Sequence, residues 1–193
     1  MEVSAEEEIN QIEVGKPHVV ILGAGASYAA FPNGDRNGRK LPLMNNFVET
    51  LGIEDLVART GLSFSSTNFE DIYTEIHQKP ELSDIREELE EIVYDYFKGM
   101  ELTDEPTIYD HLVLSLRNKD FIATFNWDPF LVQAIRRNGR RFKMPRTLFL
   151  HGNVEVGYCT DGHMMGNNGS NCHHCGKPGL SGFPKGFMAN LNG

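Results

Sequence analysis

The stretch HVVILGAGAS, His18 to Ser27, decides how the rest of the chain is read. HVVIL is a short β-branched run of the kind that forms a strand buried on both faces of a parallel sheet. It runs directly into Gly23 and Gly25. A strand followed by Gly-x-Gly lets backbone N–H groups and a helix N-terminus come close to a phosphate. GAGAS lacks the third glycine of G-x-G-x-x-G, and no acidic residue tied to a second strand follows about 20 residues on. A tight structural turn and a phosphate loop both fit this stretch, so its meaning depends on what else the fold brings to it.

Working outward, FPNGDRNGRK (Phe31 to Lys40) is rich in turn formers and reads as a loop. From Leu43 the pattern turns helical, with Met44, Phe47, Val48 and Leu51, then Leu56 and Val57 beyond the Gly52 break. STNFEDIYTEIHQ offers Ser66, Thr67 or Asn68 as an N-cap for a helix that carries Phe69, Ile72, Tyr73 and Ile76 on one face, with Pro80 closing it. SDIREELEEIVYDYF gives an amphipathic helix with Ile85, Leu89, Ile92, Val93 and Tyr96 inward, and its carboxylate run reads as a solvated face. A further helix spans about 107–116. FIATF, Phe121 to Phe125, is a second strand, and Asp128 as N-cap with Pro129 at the first helical position starts a helix bearing Phe130, Leu131, Ala134 and Ile135. TLFLHG, from Thr147, is a third strand.

Strands entering helices, with glycines at strand ends, predict an α/β fold: a Rossmann-like parallel sheet with a helical insertion and a small C-terminal zinc-knuckle segment. The expected organisation is an acidic lead-in over 1–16, a nucleotide-binding domain over 17–152 that includes a helical insertion at about 42–118, and a Cys/His segment with a tail over 153–193.

Composition bounds the function. The chain has 193 residues, 40% hydrophobic and 23% charged, which is enough for one domain with a core. Its net charge of −9 disfavours a nucleic-acid partner, since such binding leans on clustered Lys and Arg. The one basic run, RRNGRRFK (Arg136 to Lys143), reads as a solvated helix end and turn. No apolar run approaches the roughly 20 residues that cross a bilayer, and the acidic N-terminus lacks the pattern of a secretory signal. The expectation is a cytoplasmic protein that does not engage a membrane.

Polar side chains gather just past the strands. TFNWD places Asn126 and Asp128 beyond the carboxyl end of the second strand, where open parallel sheets bind ligands. The local alternatives are that Asp128 caps a helix and Asn126 satisfies a turn. LHG puts His151 at the end of the third strand. A lone histidine is usually structural, but this one shares its position with two other polar strand ends, and imidazole accepts and returns a proton near neutral pH.

All three cysteines, Cys159, Cys172 and Cys175, lie in the last fifth of the chain. An odd count without a secretory signal argues against a disulfide framework. CHHC supplies a C-x-x-C knuckle, and CTDGH adds Cys159 with His163, giving a Cys3His set suited to a closed zinc site. His173, His174 or a residue elsewhere are alternatives to His163, and incidental thiols are the alternative to a metal. A metal would order a segment that is almost free of aliphatic residues.

In order, GAGAS, TFNWD, LHG and the Cys/His knuckle resemble the sirtuin superfamily, most of all the bacterial sirtuin-like domains, many of which hydrolyse NAD in defence against phage; LPLM and NFEDI also look like that branch, and the likeness covers about 18–176. The resemblance implies a cytoplasmic NAD hydrolase that cleaves the bond between nicotinamide and ribose, with a structural zinc ion. It implies that Gly23, Ala24, Gly25, Ala26, Ser27 and Thr124 bind the dinucleotide, with the glycine turn along its diphosphate. Asn126 and Asp128 would lie near the nicotinamide and its ribose, and His151 would be the general base acting on a ribose hydroxyl. A homo-oligomer or a defence-system partner protein is compatible with it. Two departures qualify what carries over. Where deacylating sirtuins have a first C-x-x-C pair this chain has C-x3-H, which counts against an NAD-dependent protein deacylase. Family members continue past the zinc module with further strands, whereas this sequence stops at FPKGFMANLNG, which implies a fragment or a short member. The second functional reading is therefore a truncated or inactive module that binds nucleotide or a protein.

Overall fold

The computed structural model describes Ser4 and residues 16–140, 142–159, 161 and 165–177. Strands β1 (Val19–Leu22), β2 (Phe121–Thr124) and β3 (Arg146–Phe149) form a parallel sheet in that order. Val19 pairs with Phe121 and Phe121 with Arg146; at the other end Leu22, Thr124 and Phe149 stand in line. The buried Asp120 carboxylate accepts the backbone N–H of His18 (2.8 Å) and of Arg117 (2.7 Å), which ties the starts of β1 and β2 together.

Helices fill the chain between the first two strands. They are α1 (Ala24–Ala30), α2 (Phe47–Leu51), α3 (Glu54–Ala58), α4 (Phe69–His77), α5 (Ser83–Lys98) and α6 (Ile108–Ser115), and α7 (Phe130–Asn138) follows β2. Of the three candidate caps for α4, Asn68 takes the role, its side chain accepting the Glu70 N–H at 2.8 Å. Thr107 and Asp110 form a capping box at the start of α6. Helix α7 begins one residue later than the sequence suggests. Pro129 occupies the cap position, and Asp128 still accepts the Phe130 N–H, at a long 3.3 Å, because its other oxygen is drawn to Ser27. The 32–43 connection has no helix or strand, as the turn formers predict, yet it is well tied: the buried Asp35 accepts N–H groups from Asn37 (2.9 Å), Arg39 (2.8 Å) and Glu101 (3.0 Å).

The core lies on one face of the sheet. Phe47 and Phe69 are fully buried with ring centres 4.1 Å apart, Trp127 meets Phe47 edge-on, and Ile122 and Phe130 complete the layer beneath. The expectation that HVVIL is buried on both faces is wrong. Val19 is 64% and Ile21 68% exposed, and Leu148, in register with Ile21 through Ala123, is 52% exposed. Connections of the usual right hand that step twice in the same direction, β1 to β2 to β3, put both crossovers on one face, which here is the face bearing Leu22, Ile122 and Thr124. The run is β-branched because it forms a strand; its pattern carries no information on whether a second helical layer exists.

The carboxylate run of α5 is likewise not solvated throughout. Glu90 is buried against α4, accepts the Tyr73 hydroxyl at 2.5 Å, and has its pKa raised by loss of solvent. Beyond Gly152 the segment forms a short antiparallel hairpin, β4 (Val156–Tyr158) with β5 (Met165–Asn167), which the sequence reading left without strands. Asn168 joins the hairpin to the body by donating to the Tyr94 hydroxyl (2.8 Å) and the Val154 carbonyl (3.0 Å). Among the described residues no helix is long and apolar enough to cross a membrane.

The one-sided core makes a direct prediction for chemical denaturation. Ile122→Ala, at a fully buried site, should cost about 2–5 kcal/mol, whereas Ile21→Ala on the open face should cost less than about 1 kcal/mol. Equal losses would mean that the Ile21 face is covered.

Candidate functional site

Past the carboxyl ends of the three strands lies a cavity of about 250 Å3. The turn after β1 supplies Gly23, Ala24 and Ser27, the loop after β2 supplies Asn126, Trp127 and Asp128, and the turn after β3 supplies His151. Phe47 of α2, Glu70 of α4 and Phe97 of α5 contribute wall from the helical layer. Three segments far apart in sequence thus converge because parallel strands all deliver their C-terminal ends to the same side.

The polar groups on the sheet side form one network. Ser27, Asn126 and Asp128 are buried, and Tyr109 of α6 is buried with them. Ser27 Oγ donates to Asp128 Oδ2 at 2.6 Å and accepts from Asn126 Nδ2 at 3.0 Å. Its third contact is the Tyr109 hydroxyl at 2.5 Å. Burial, with the Asp128 charge adding to it, raises the Tyr109 pKa above the ordinary phenol range, so Tyr109 keeps its proton and donates it to Ser27. Asn126 Nδ2 also reaches the Tyr109 oxygen at 3.3 Å. Both amide hydrogens are then committed to the protein, and Asn126 Oδ1 is left buried without a partner. An orphaned acceptor on a cavity wall awaits a donor, as a ligand hydroxyl or a water supplies.

Asp128 is the electrostatically unusual group. Burial raises its pKa to about 6, against the opposing pull of the Ser27 hydroxyl and of the Phe130 and Asp128 backbone N–H groups. A carboxyl that titrates near neutral pH can hold or release a proton under working conditions. His151 stands edge-on to Phe125, ring centres 4.9 Å apart, which fixes the imidazole plane at the cavity wall. The turn that carries it depends on Gly152, whose φ of +77° is left-handed, so the glycine of LHG serves the backbone. Gly23 and Gly25 differ. Beyond its chain neighbours and its own helix, a Cβ at either would meet no atom within 4 Å, so packing demands no glycine there and the space beside the backbone is open.

Other expected site residues have different places. Thr124 is buried behind the cavity, where its Oγ1 accepts the Asn126 N–H at 3.0 Å; it holds the loop and does not line the cavity. Gly25 and Ala26 lie in the first turn of α1, also outside the lining. Sequence reasoning missed three contributors. Tyr109 falls in the helix read over about 107–116 and has no role assigned there. Asn153 reads as loop, yet its buried side chain donates to the Asp128 carbonyl at 2.6 Å and the Asn126 carbonyl at 3.3 Å, clamping the β3 turn to the β2 loop. Glu70 lies in the helix after the candidate caps Ser66, Thr67 and Asn68, where the sequence reading covers only the apolar face.

The second cluster is metallic in character. The Sγ atoms of Cys159, Cys172 and Cys175 all lie within 4.8 Å of one another, and those of Cys159 and Cys175 are 3.6 Å apart. Thiolates about 2.3 Å from a tetrahedral ion stand roughly 3.8 Å apart, so the donor set fits a metal such as zinc. The knuckle closes through the Gly176 N–H to the Cys172 carbonyl (2.8 Å), with Gly176 at a φ of +69°. His163 lies outside the described residues. His173 and His174 are exposed, and among the described residues no histidine or carboxylate joins the three sulfurs.

Two predictions follow from these groups. Because the Asp128 pKa is raised in the folded state to about 6 from an ordinary 3.8, the folded protein holds an extra proton between those values. Its contribution to stability is complete below pH 3.8 and is lost as pH rises through 6, on the order of 3 kcal/mol in all. Denaturation across pH 4–7 should therefore show a steeper decline for the wild type than for Asp128→Asn; parallel curves would refute the raised pKa. For the metal, elemental analysis should find about one equivalent of zinc, lost in Cys172→Ser, and chelation should lower the Tm of the wild type alone.

No known family model and no curated protein matches this chain.

Proposed function

We propose that the protein is a Rossmann-like NAD hydrolase that cleaves the bond between nicotinamide and ribose. The observation that carries this reading is the convergence of Gly23, Ser27, Asn126, Asp128 and His151 on one cavity over adjoining parallel strands, with an orphaned Asn126 Oδ1. The order of the motifs GAGAS, TFNWD, LHG and CHHC, which resembles sirtuin-like domains, supports the same assignment.

The nicotinamide and its ribose enter the cavity, and the diphosphate runs over the open backbone at Gly23 and Gly25. Aromatic walls exclude bulk water from the reacting carbon, which strengthens every electrostatic contact made there. The C1′–N bond breaks with its electron pair leaving on the nicotinamide nitrogen, while positive charge develops on the ribose. Asn126 Oδ1 accepts a hydrogen bond from the incoming water, whose oxygen bonds to C1′. The proton released passes to His151 and on to solvent, so NAD and water give nicotinamide, ADP-ribose and a proton. Asp128 holds Ser27, and through it the Asn126 amide, in the orientation that leaves Oδ1 free. A zinc ion held by Cys159, Cys172 and Cys175 would have a structural part, joining these three residues without entering the chemistry.

The test is to incubate the protein with NAD and measure nicotinamide and ADP-ribose. His151→Ala and Asn126→Ala should each lower kcat by about 100-fold or more without loss of the folded state. Activity that survives both changes overturns the assignment. Nicotinamide release that requires an acetyl-lysine peptide replaces it with protein deacylation.

A further inference from the structure

The cavity has an acidic, aromatic character that a dinucleotide site as a whole does not call for. Its lining includes no Lys or Arg; its ring-bearing wall is Phe47, Phe97, Phe125 and Trp127, and its carboxylates are Asp128 and Glu70. Asp128 is occupied by Ser27. Glu70 is not: among the described residues its side chain has no ion pair or hydrogen bond, and it is only half-buried, on the helical wall across from the strand ends. The backbone that carries it is nevertheless fixed. Asn68 caps its N–H at 2.8 Å, and the preceding Phe69 is fully buried against Phe47. An unpartnered carboxylate on the wall of a cavity that four aromatic rings also line repels anions and attracts flat cations, which gain from both the charge and the ring faces.

We propose that Glu70 makes this cavity selective for a flat, positively charged heteroaromatic ring over its neutral counterpart. This role rests on the reading of the cavity as the seat of the nicotinamide ribose, and it specifies which form of the ring enters. In the oxidised dinucleotide the ring is a pyridinium cation; in the reduced one it is neutral. The same carboxylate is placed to favour positive charge as it spreads onto the ribose. The diphosphate, repelled by this lining, is left to the open backbone at Gly23 and Gly25.

The experiment uses two ring probes and two dinucleotides with the full chain. Binding of the N1-methylnicotinamide cation and of neutral nicotinamide is compared by titration for wild type, Glu70→Gln and Glu70→Asp. The wild type should prefer the cation, Glu70→Gln should reduce that preference about tenfold, and Glu70→Asp should retain part of it. In the hydrolysis assay, NADH should be a poor inhibitor of the wild type and a better one of Glu70→Gln, whose kcat for NAD should fall more than its KM rises. An unchanged thermal midpoint shows that Glu70→Gln is folded, since the Asn68 cap uses only the Glu70 backbone. A cation preference equal in wild type and Glu70→Gln, or absent from the wild type, overturns the proposal even if NAD is hydrolysed. A Glu70-dependent cation preference in a protein that does not hydrolyse NAD upholds it while removing the hydrolase reading.

Discussion

The Ser27 hydroxyl is the point on which the site depends. It is a single oxygen with one proton to give and two lone pairs to offer, and all three are used: Asp128 accepts, while Tyr109 and Asn126 donate. The partners come from α6 and from the loop after β2, while Ser27 itself stands on α1, 82 to 101 residues earlier in the chain. Because the network is buried, leaving any member unpartnered costs about 1–3 kcal/mol. Satisfied, it selects one arrangement of the three elements. Its hydrogen-bond direction also has a chemical consequence. With Tyr109 obliged to donate and Asp128 to accept, the Asn126 amide turns its nitrogen toward the protein and its oxygen is left buried without a protein partner.

The scaffold behind this network explains why it is so firmly held. Helix α6 is locked to α7 by Asp110, which accepts from the Arg137 guanidinium (Nε at 2.9 Å) and from Asn138 (2.8 Å) while capping its own helix. Tyr109 is the neighbour of that anchor, so its hydroxyl is presented to Ser27 by an element that cannot easily shift. Asn153 performs the corresponding task on the other side, binding the carbonyls of the β2 loop to the turn that carries His151. The orientation of the site is therefore set by buried side chains, Tyr109 and Asn153, that lie outside the cavity lining.

The parts legible in the sequence are those with local causes. The first strand follows from its β-branched run, α4 from its apolar face after a choice of Ser66, Thr67 or Asn68 as cap, α6 from the helix read over about 107–116, and the cysteine knuckle from its spacing. The strand-end positions of Asn126, Asp128 and His151 follow from strand assignment alone, and the cavity unites them. What was not legible has distant causes. Tyr109 sits on an apolar helix face, and only the turn 82 residues earlier reveals that its hydroxyl is used. Glu90 lies in a carboxylate run and is distinguished from its neighbours only by Tyr73 on another helix. The exposure of Val19 and Ile21 depends on the direction of two crossovers, a property of topology that no alternation of residues along HVVIL encodes.

The net charge of −9 and the proposed anionic ligand are reconciled by range. At physiological ionic strength, charges farther apart than about 8 Å are largely screened, so a dispersed acidic surface acts on a dinucleotide mainly through the few groups it approaches. Those groups are unevenly arranged. The cavity lining contains carboxylates and no Lys or Arg, while the turn at its rim offers only backbone at Gly23 and open space at Gly25. A ligand with a positive ring at one end and a diphosphate farther along has a charge sequence that matches this arrangement in one orientation. Reversed, it would press phosphates against Glu70 and Asp128 in a place with little water to screen them. For the proposed dinucleotide, repulsion from Glu70 and Asp128 would then set the orientation as much as attraction at the glycine turn, a form of selection that costs no additional contacts.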